Sequence, residues 1–458
     1  MSTGIAMQII RARRALTPEG WQDDVTVSVN EGRIAAVAAG GAGGAGDVLC
    51  GTLLPAPCNL HSHAFQRAMA GITEMRGPEP RDTFWTWRQV MYRFLDHLAP
   101  DDVQAITARA FMEMLEGGFA AVGEFHYLHH RPGGLPYDDR SEMARRVAAA
   151  AAETGLGLCL LPVLYSQGGC DGRALGPGQV RFGNDPDGFA RLAGDAAGIA
   201  AALAPDAGWG VAPHSLRAVP PAGLAAAVAL APDRPLHIHA AEQVAEVAEV
   251  EAALGARPVD WLLDSHDIGR RWCLIHATQM TGAETLRLAA TGAVAGLCPV
   301  TESSLGDGIF PARAYLAAGG RIGLGTDSNI DIGLAGELRT LEYSQRLAHR
   351  ERAVLADHRS TGRRLWEEAS TGGAQALGRA SGAIAPGLWA DLVALDDSDG
   401  EHAISQPDQH VDAFAFAGGR ISDVWSAGRH VVTAGRHHAR DGILARYRAA
   451  LGRIADRM

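Results

Sequence analysis

Leu53-Leu54-Pro55-Ala56-Pro57-Cys58-Asn59-Leu60-His61-Ser62-His63 runs an apolar stretch straight into two histidines one residue apart. Residues i and i+2 of an extended strand share a face, so both imidazoles can meet one ion at the strand's C-terminal end. Imidazole is the commonest metal ligand among side chains, and the pair reads as half of a metal site. Alone, a His-x-His is equally well read as two structural histidines. What decides is whether further ligands follow at comparable places.

Working outward, they do. From about residue 56 to 383, short apolar runs alternate with helical stretches rich in Ala, Leu, Glu and Arg. The runs are Ala120 to Gly123, Gly157 to Leu164, Gly210 to Ala212, Leu236 to His239, Cys273 to His276, Ala293 to Cys298 and Ile322 to Gly325. With the run before His61, such alternation predicts an α/β fold, a closed (β/α)8 TIM barrel. His61 and His63, His239, His276 and Asp327 each end or follow one of these runs. In a parallel barrel these ends face one mouth, where active sites sit. Three imidazoles with one carboxylate suit a single divalent ion, most readily Zn2+, with Fe2+ or Mn2+ also accepted. Such an ion lowers the pKa of bound water to about 7. Glu242, three residues after His239, is expected to open the next helix and reach the same pocket as a proton shuttle.

The two ends of the chain read differently. Residues 1–55 hold β-like runs (Ile5 to Ile10, Val25 to Val29, Arg33 to Val37), and residues 384–458 hold further short strands and a terminal helix from Gly442 to Arg457. They are expected to pair into one small β-sandwich beside the barrel, which spans residues 56–383.

Composition excludes several chemistries. All 41 basic residues are arginine, so no lysine can form a Schiff base, a P-loop contact or a carbamylated bridge between two metals. The net charge of -11, without a basic run, lacks the electrostatic footprint of a nucleic-acid binder. The six cysteines are scattered without a C-x-x-C pair, as in a reducing compartment. Apolar stretches fall short of a membrane span, no signal peptide is evident, and a cytoplasmic enzyme is the expectation.

The order H-x-H, H-x-x-E, H and a late T-D resembles the amidohydrolase superfamily in its mononuclear deaminase branch. The resemblance implies His61, His63, His239 and Asp327 as metal ligands, with Glu242, His276 and Asp327 as the catalytic groups. Longer blocks narrow it: Asn59 to Gly71, Phe84-Trp85-Thr86-Trp87-Arg88, and Glu124 to His130 resemble the N-formimino-L-glutamate deiminase family of histidine degradation. That family hydrolyses formiminoglutamate to formylglutamate and ammonia, with metal-activated water attacking the amidine carbon. Gln66, Tyr127 and His214 match family positions that contact substrate. A dicarboxylate carrying a formimino group also needs cationic clamps, for which Arg88 and Arg217 are the best placed. Trp85 and Trp87 read as packing at the barrel mouth. The resemblance further implies a homodimer. A guanine- or cytosine-deaminase-like aminohydrolase shares the metal set and is the enzymatic alternative. A metal-free barrel serving as a binding scaffold is the remaining one.

Overall fold

The computed structural model describes residues 7–41, 43–77, 80–396 and 406–458; Ile5 of the expected first strand lies outside them. Four strands lead in: β1 (Gln8–Thr17), β2 (Gly20–Asn30), β3 (Arg33–Ala39) and β4 (Val48–Pro55). β1 runs well past the expected Ile10. Ile10, Ala12 and Ala15 are buried while Arg13 is exposed, so this arginine-rich stretch sits on a sheet with one wet face.

The barrel follows at once. Its strands are β5 (Cys58–Ser62), β6 (Ala121–His126), β7 (Gly157–Leu164), the short pair β8 (Gly208–Trp209) and β9 (Ala212–Pro213), β10 (Leu236–Ala240), β11 (Trp272–His276), β12 (Val294–Leu297) and β13 (Arg321–Leu324). Neighbours pair in parallel. Bridges from Val211 to Leu236 and from Ser62 to Asp327 carry the pairing across the two gaps, closing the barrel. β8 and β9 act as one barrel strand broken at Gly210-Val211. The barrel strands are buried almost throughout, as expected where helices cover a parallel sheet.

Closure brings the last strand over the first. A Cβ on Gly325 would sit 2.8 Å from the His61 carbonyl oxygen, so a residue without a side chain is required where the turn after β13 crosses β5. The backbone N–H groups of Thr326 and Asp327 both donate to that carbonyl, at 3.1 and 3.0 Å, and His63 N–H donates to Asp327 O at 2.9 Å. Asn59 Nδ2 donates to Thr326 Oγ1 at 2.7 Å and Asn329 Nδ2 to Ser62 Oγ at 3.1 Å. Asp327 is thereby fixed against the histidine strand from both sides.

After the barrel, β14 (Leu392–Leu395), β15 (Ile421–Ser426), β16 (Arg429–Thr433) and β17 (Arg436–His437) return to the N-terminal strands. The order is β17-β16-β15-β14-β4-β1-β2-β3, so both chain ends share one eight-stranded sheet. Ile10, Val25, Val27, Leu392 and Trp425 meet in its own core, separate from the barrel's. A buried ion network ties the sheet to the barrel: Arg379 pairs with Asp206 at 3.0 Å and Asp391 at 2.7 Å, and Arg429 pairs with Asp206 at 2.7 Å. The terminal helix spans Arg440–Ala455 and packs on the helix Pro100–Glu116. Among the described residues, no helix is long and apolar enough to cross a membrane.

Candidate metal centre and active site

Parallel strand ends deliver the first donors. His61 lies in β5 and His63 just beyond it, His239 lies in β10, and Asp327 follows β13. One donor atom from each of these four buried residues lies within 4.8 Å of all the others. Asp327 Oδ1 is 3.4 Å from His61 Nε2 and 3.2 Å from His63 Nε2. The second nitrogens of two rings are already committed, His63 Nδ1 to Phe125 O at 3.0 Å and His239 Nδ1 to His214 O at 3.1 Å. Backbone carbonyls accept, so each Nδ1 carries the proton and each Nε2 lone pair turns inward.

This donor set fits a divalent ion. Burial pushes the His61 imidazolium pKa down to about 3 and lowers those of His63 and His239 as well, so all three rings are neutral and able to ligate. Burial alone would raise the Asp327 carboxyl, but the rings of His61, His63 and His276 outweigh it and keep it ionised. Both His61 ring nitrogens are buried without a hydrogen-bond partner. An imidazole left so is costly, and a metal would satisfy it.

Beside the donors, His276 ends β11. Its Nε2 lies 3.8 Å from Glu242 Oε1 and 3.8 Å from Asp327 Oδ2. Burial depresses its pKa, yet Glu242, Glu302 and Asp327 prevail and raise it to about 10. Burial pushes Glu242 up to about 7, with His276 and Arg217 holding it from going higher. Glu242 does not open the helix; it sits in the turn before Val244–Leu254. Its backbone N–H is taken by Glu246 Oε2 at 2.9 Å, which holds the side chain over the mouth instead of along the helix. His276 and Asp327 have left-handed backbones, at φ 70° and 43°. Such strain in non-glycine residues concentrates at functional sites.

A cavity opens onto this group, lined by His63, His239, Glu242, His276 and Asp327 at its floor. All five residues expected to contact substrate line it: Gln66, Arg88, Tyr127, His214 and Arg217. Gln66 Nε2 donates to the Tyr127 hydroxyl at 2.9 Å, leaving Gln66 Oε1 unpartnered. His214 stacks on His239 at 4.9 Å. Buried Arg217 reaches to 3.6 Å from Glu242 Oε2 and 4.0 Å from Glu246 Oε1. Arg88 Nε donates to the Tyr92 hydroxyl. Of the two tryptophans read as packing, Trp87 lines the cavity beside Phe84, and Trp85 does not.

Sequence reasoning missed several participants. Glu302 Oε1 lies 3.2 Å from His276 Nδ1, and Glu246 braces both Glu242 and Arg217. Tyr92, Tyr165 and Phe182 wall the cavity. Asp307, whose carboxyl burial pushes up to about 9, accepts from Gln243 Nε2. A signal existed only for Glu302: it lies four residues after Cys298, at the end of the one late barrel run that carried no assigned group.

Comparison with known proteins agrees with this geometry. The Amidohydrolase family model matches residues 52–431, and that of the formimidoylglutamate deiminase HutF N-terminal domain matches residues 7–50. The chain is 43% identical to a formimidoylglutamate deiminase of Pseudomonas aeruginosa, over 98% of this chain and 100% of the relative. An 8-oxoguanine deaminase of the same species is 31% identical over 74% of this chain and 73% of its own. Among solved structures, an amidohydrolase from Brucella melitensis superposes with a TM-score of 0.94 at 48% identity, covering 98% of this chain and 100% of the other. An adenosine deaminase from Xanthomonas campestris, 24% identical with a TM-score of 0.80 and 98% of both chains covered, shares the fold. The chain belongs to the amidohydrolase family and, within it, to the formimidoylglutamate deiminases.

Proposed function

We propose that this protein hydrolyses N-formimino-L-glutamate to N-formyl-L-glutamate and ammonia, with one divalent ion, Zn2+, held by His61, His63, His239 and Asp327. The observation that carries the reading is the meeting of three features in one cavity: the donor cluster, the buried Glu242–His276 pair, and two guanidiniums. An ion bound there supplies Lewis-acid activation of water.

The chain's own groups do the rest. Asp327 takes up the proton released as water adds to the formimino carbon. The charged His276 ring faces the tetrahedral carbon centre and stabilises it electrostatically. Glu242 delivers one proton to the imino nitrogen and Asp327 passes on the one it took up. The C–N bond breaks and ammonia leaves as the hydroxyl proton on that carbon returns to Glu242 and the formyl carbonyl forms. A carboxyl pushed up to about 7 is well matched to carrying a proton near neutrality.

Arg217, 3.6 Å from Glu242, takes the carboxylate nearest the amidine, and Arg88 takes the distal one. Each charge-assisted contact contributes about 1.5–3 kcal/mol, so Arg217→Ala and Arg88→Ala should each lower kcat/KM roughly 10–150-fold. N-formimino-4-aminobutyrate, which lacks the proximal carboxylate, should be a poor substrate that Arg217→Ala makes no worse. Unchanged Michaelis constants for the dicarboxylate in both variants would remove the clamp from the account.

Nucleobase deamination is the second reading, favoured by the Phe84, Trp87 and Phe182 rings around the cavity. A neutral base offers no carboxylate to the guanidiniums of Arg88 and Arg217 that line the cavity, which weighs against it. We place catalysis on residues 56–383, with 1–55 and 384–458 as the supporting sheet, and infer a cytoplasmic homodimer acting on this small molecule rather than on nucleic acid or membrane.

A further inference from the structure

The geometry points to Glu302 as a positioning residue for His276, fixing which ring nitrogen faces the reacting carbon. The inference rests on the role proposed above for His276 and adds the group that sets its tautomer.

Glu302 lies in the helix Pro299–Leu305, which starts directly after β12. The helix carries its side chain back across the end of the barrel to His276 on the neighbouring strand. Oε1 of the buried carboxylate lies 2.8 Å from the Cys298 backbone N–H, which donates to it, and 3.2 Å from His276 Nδ1. The backbone of Glu302 is pinned as well: its N–H donates to Cys298 O and its carbonyl accepts from Asp307 N–H, both at 2.9 Å. A carboxylate held at both ends cannot swing away from the ring.

An ionised carboxylate only accepts hydrogen bonds. His276 Nδ1 must therefore carry a proton in every state in which this contact is made. That leaves Nε2 as the atom that exchanges protons or faces developing charge. His276 Nε2 has no hydrogen-bond partner and is buried, within 3.8 Å of both Glu242 and Asp327. Without Glu302 the charged ring loses a partner, and when it gives up a proton it is free to keep the remaining one on Nε2, where it cannot accept from water. A carboxylate holding a catalytic imidazole in the working tautomer is worth up to about 10⁴-fold in the serine-protease triad. Partners beyond the first contact more often contribute about 10–100-fold.

Glu302→Ala is expected to lower kcat on N-formimino-L-glutamate by about 10–100-fold, with KM within about threefold and metal content unchanged. Glu302→Gln keeps an oxygen that can accept from both Nδ1 and Cys298 N–H, and should recover part of the loss. Histidine-selective 15N spectra of the wild-type protein, assigned by the signal lost in His276→Asn, should show a protonated Nδ1 on His276, a readout independent of turnover. An unprotonated Nδ1 in the wild type overturns the proposal even if neither variant folds. So does a Glu302→Ala enzyme with kcat within twofold of wild type, or one that loses metal and stability with kcat per metal site intact. Absent turnover of this substrate by the wild type, with the Nδ1 proton still present, would instead count against the proposed function.

Discussion

Glu242→Gln is expected to lower kcat for N-formimino-L-glutamate by about 10²–10⁴-fold, the range for removing a positioned acid–base group. The amide matches the carboxylate in shape, so Arg217 and the turn braced by Glu246 stay in place and KM should change little. Metal content should match wild type, because Glu242 lies outside the cluster of four donors. Steady-state kinetics with metal analysis on the same preparation check this. Near-normal turnover in the metal-loaded variant removes Glu242 from the chemistry, whereas a joint loss of metal and activity would make it a ligand.

His239→Ala is expected to have the larger effect. His239 is one of three neutral rings in the cluster, and its Nδ1 is already committed to His214 O, so its only free nitrogen faces the ion. Removing it should cost most of the bound metal and lower the rate by at least about 10⁴-fold, since the group that activates water underlies an acceleration of about 10⁶ or more. Mass spectrometry of the native protein measures the metal directly. A His239→Ala protein that keeps one tightly bound ion and turns over normally contradicts the assignment of the centre.

The barrel and its donors were legible for one physical reason. Strands covered by helices on all sides read as continuous apolar runs, and catalytic side chains sit where those runs stop. His61, His63, His239, His276 and Asp327 could thus be placed without any tertiary information. β1 was read too short because its arginines break the apolar run although Ala12 and Ala15 are buried. β8 and β9 are two residues each, too short to show a period. Glu242 precedes the helix because Gln243 caps it, its backbone N–H and the Glu246 side chain closing the first turn. Glu246 is an ordinary helical glutamate by spacing, and Glu302 is marked only by its place four residues after Cys298. Only the fold of the turns ahead of their helices brings them to His276 and Arg217. The aromatic wall was half read, since the Phe84–Trp87 block stood out while Tyr165 and Phe182 come from distant loops.

The central claim is the reaction itself, and ammonia release by the metal-loaded protein tests it most directly. N-formimino-L-glutamate, N-formimino-L-aspartate, guanine and cytosine should be compared under one set of conditions. One ammonia and one N-formyl-L-glutamate are expected per formiminoglutamate consumed. The kcat/KM should exceed that for either nucleobase by at least about 10²-fold, the value of two carboxylate–guanidinium contacts. No ammonia from formiminoglutamate, or faster release from a nucleobase, would contradict the account.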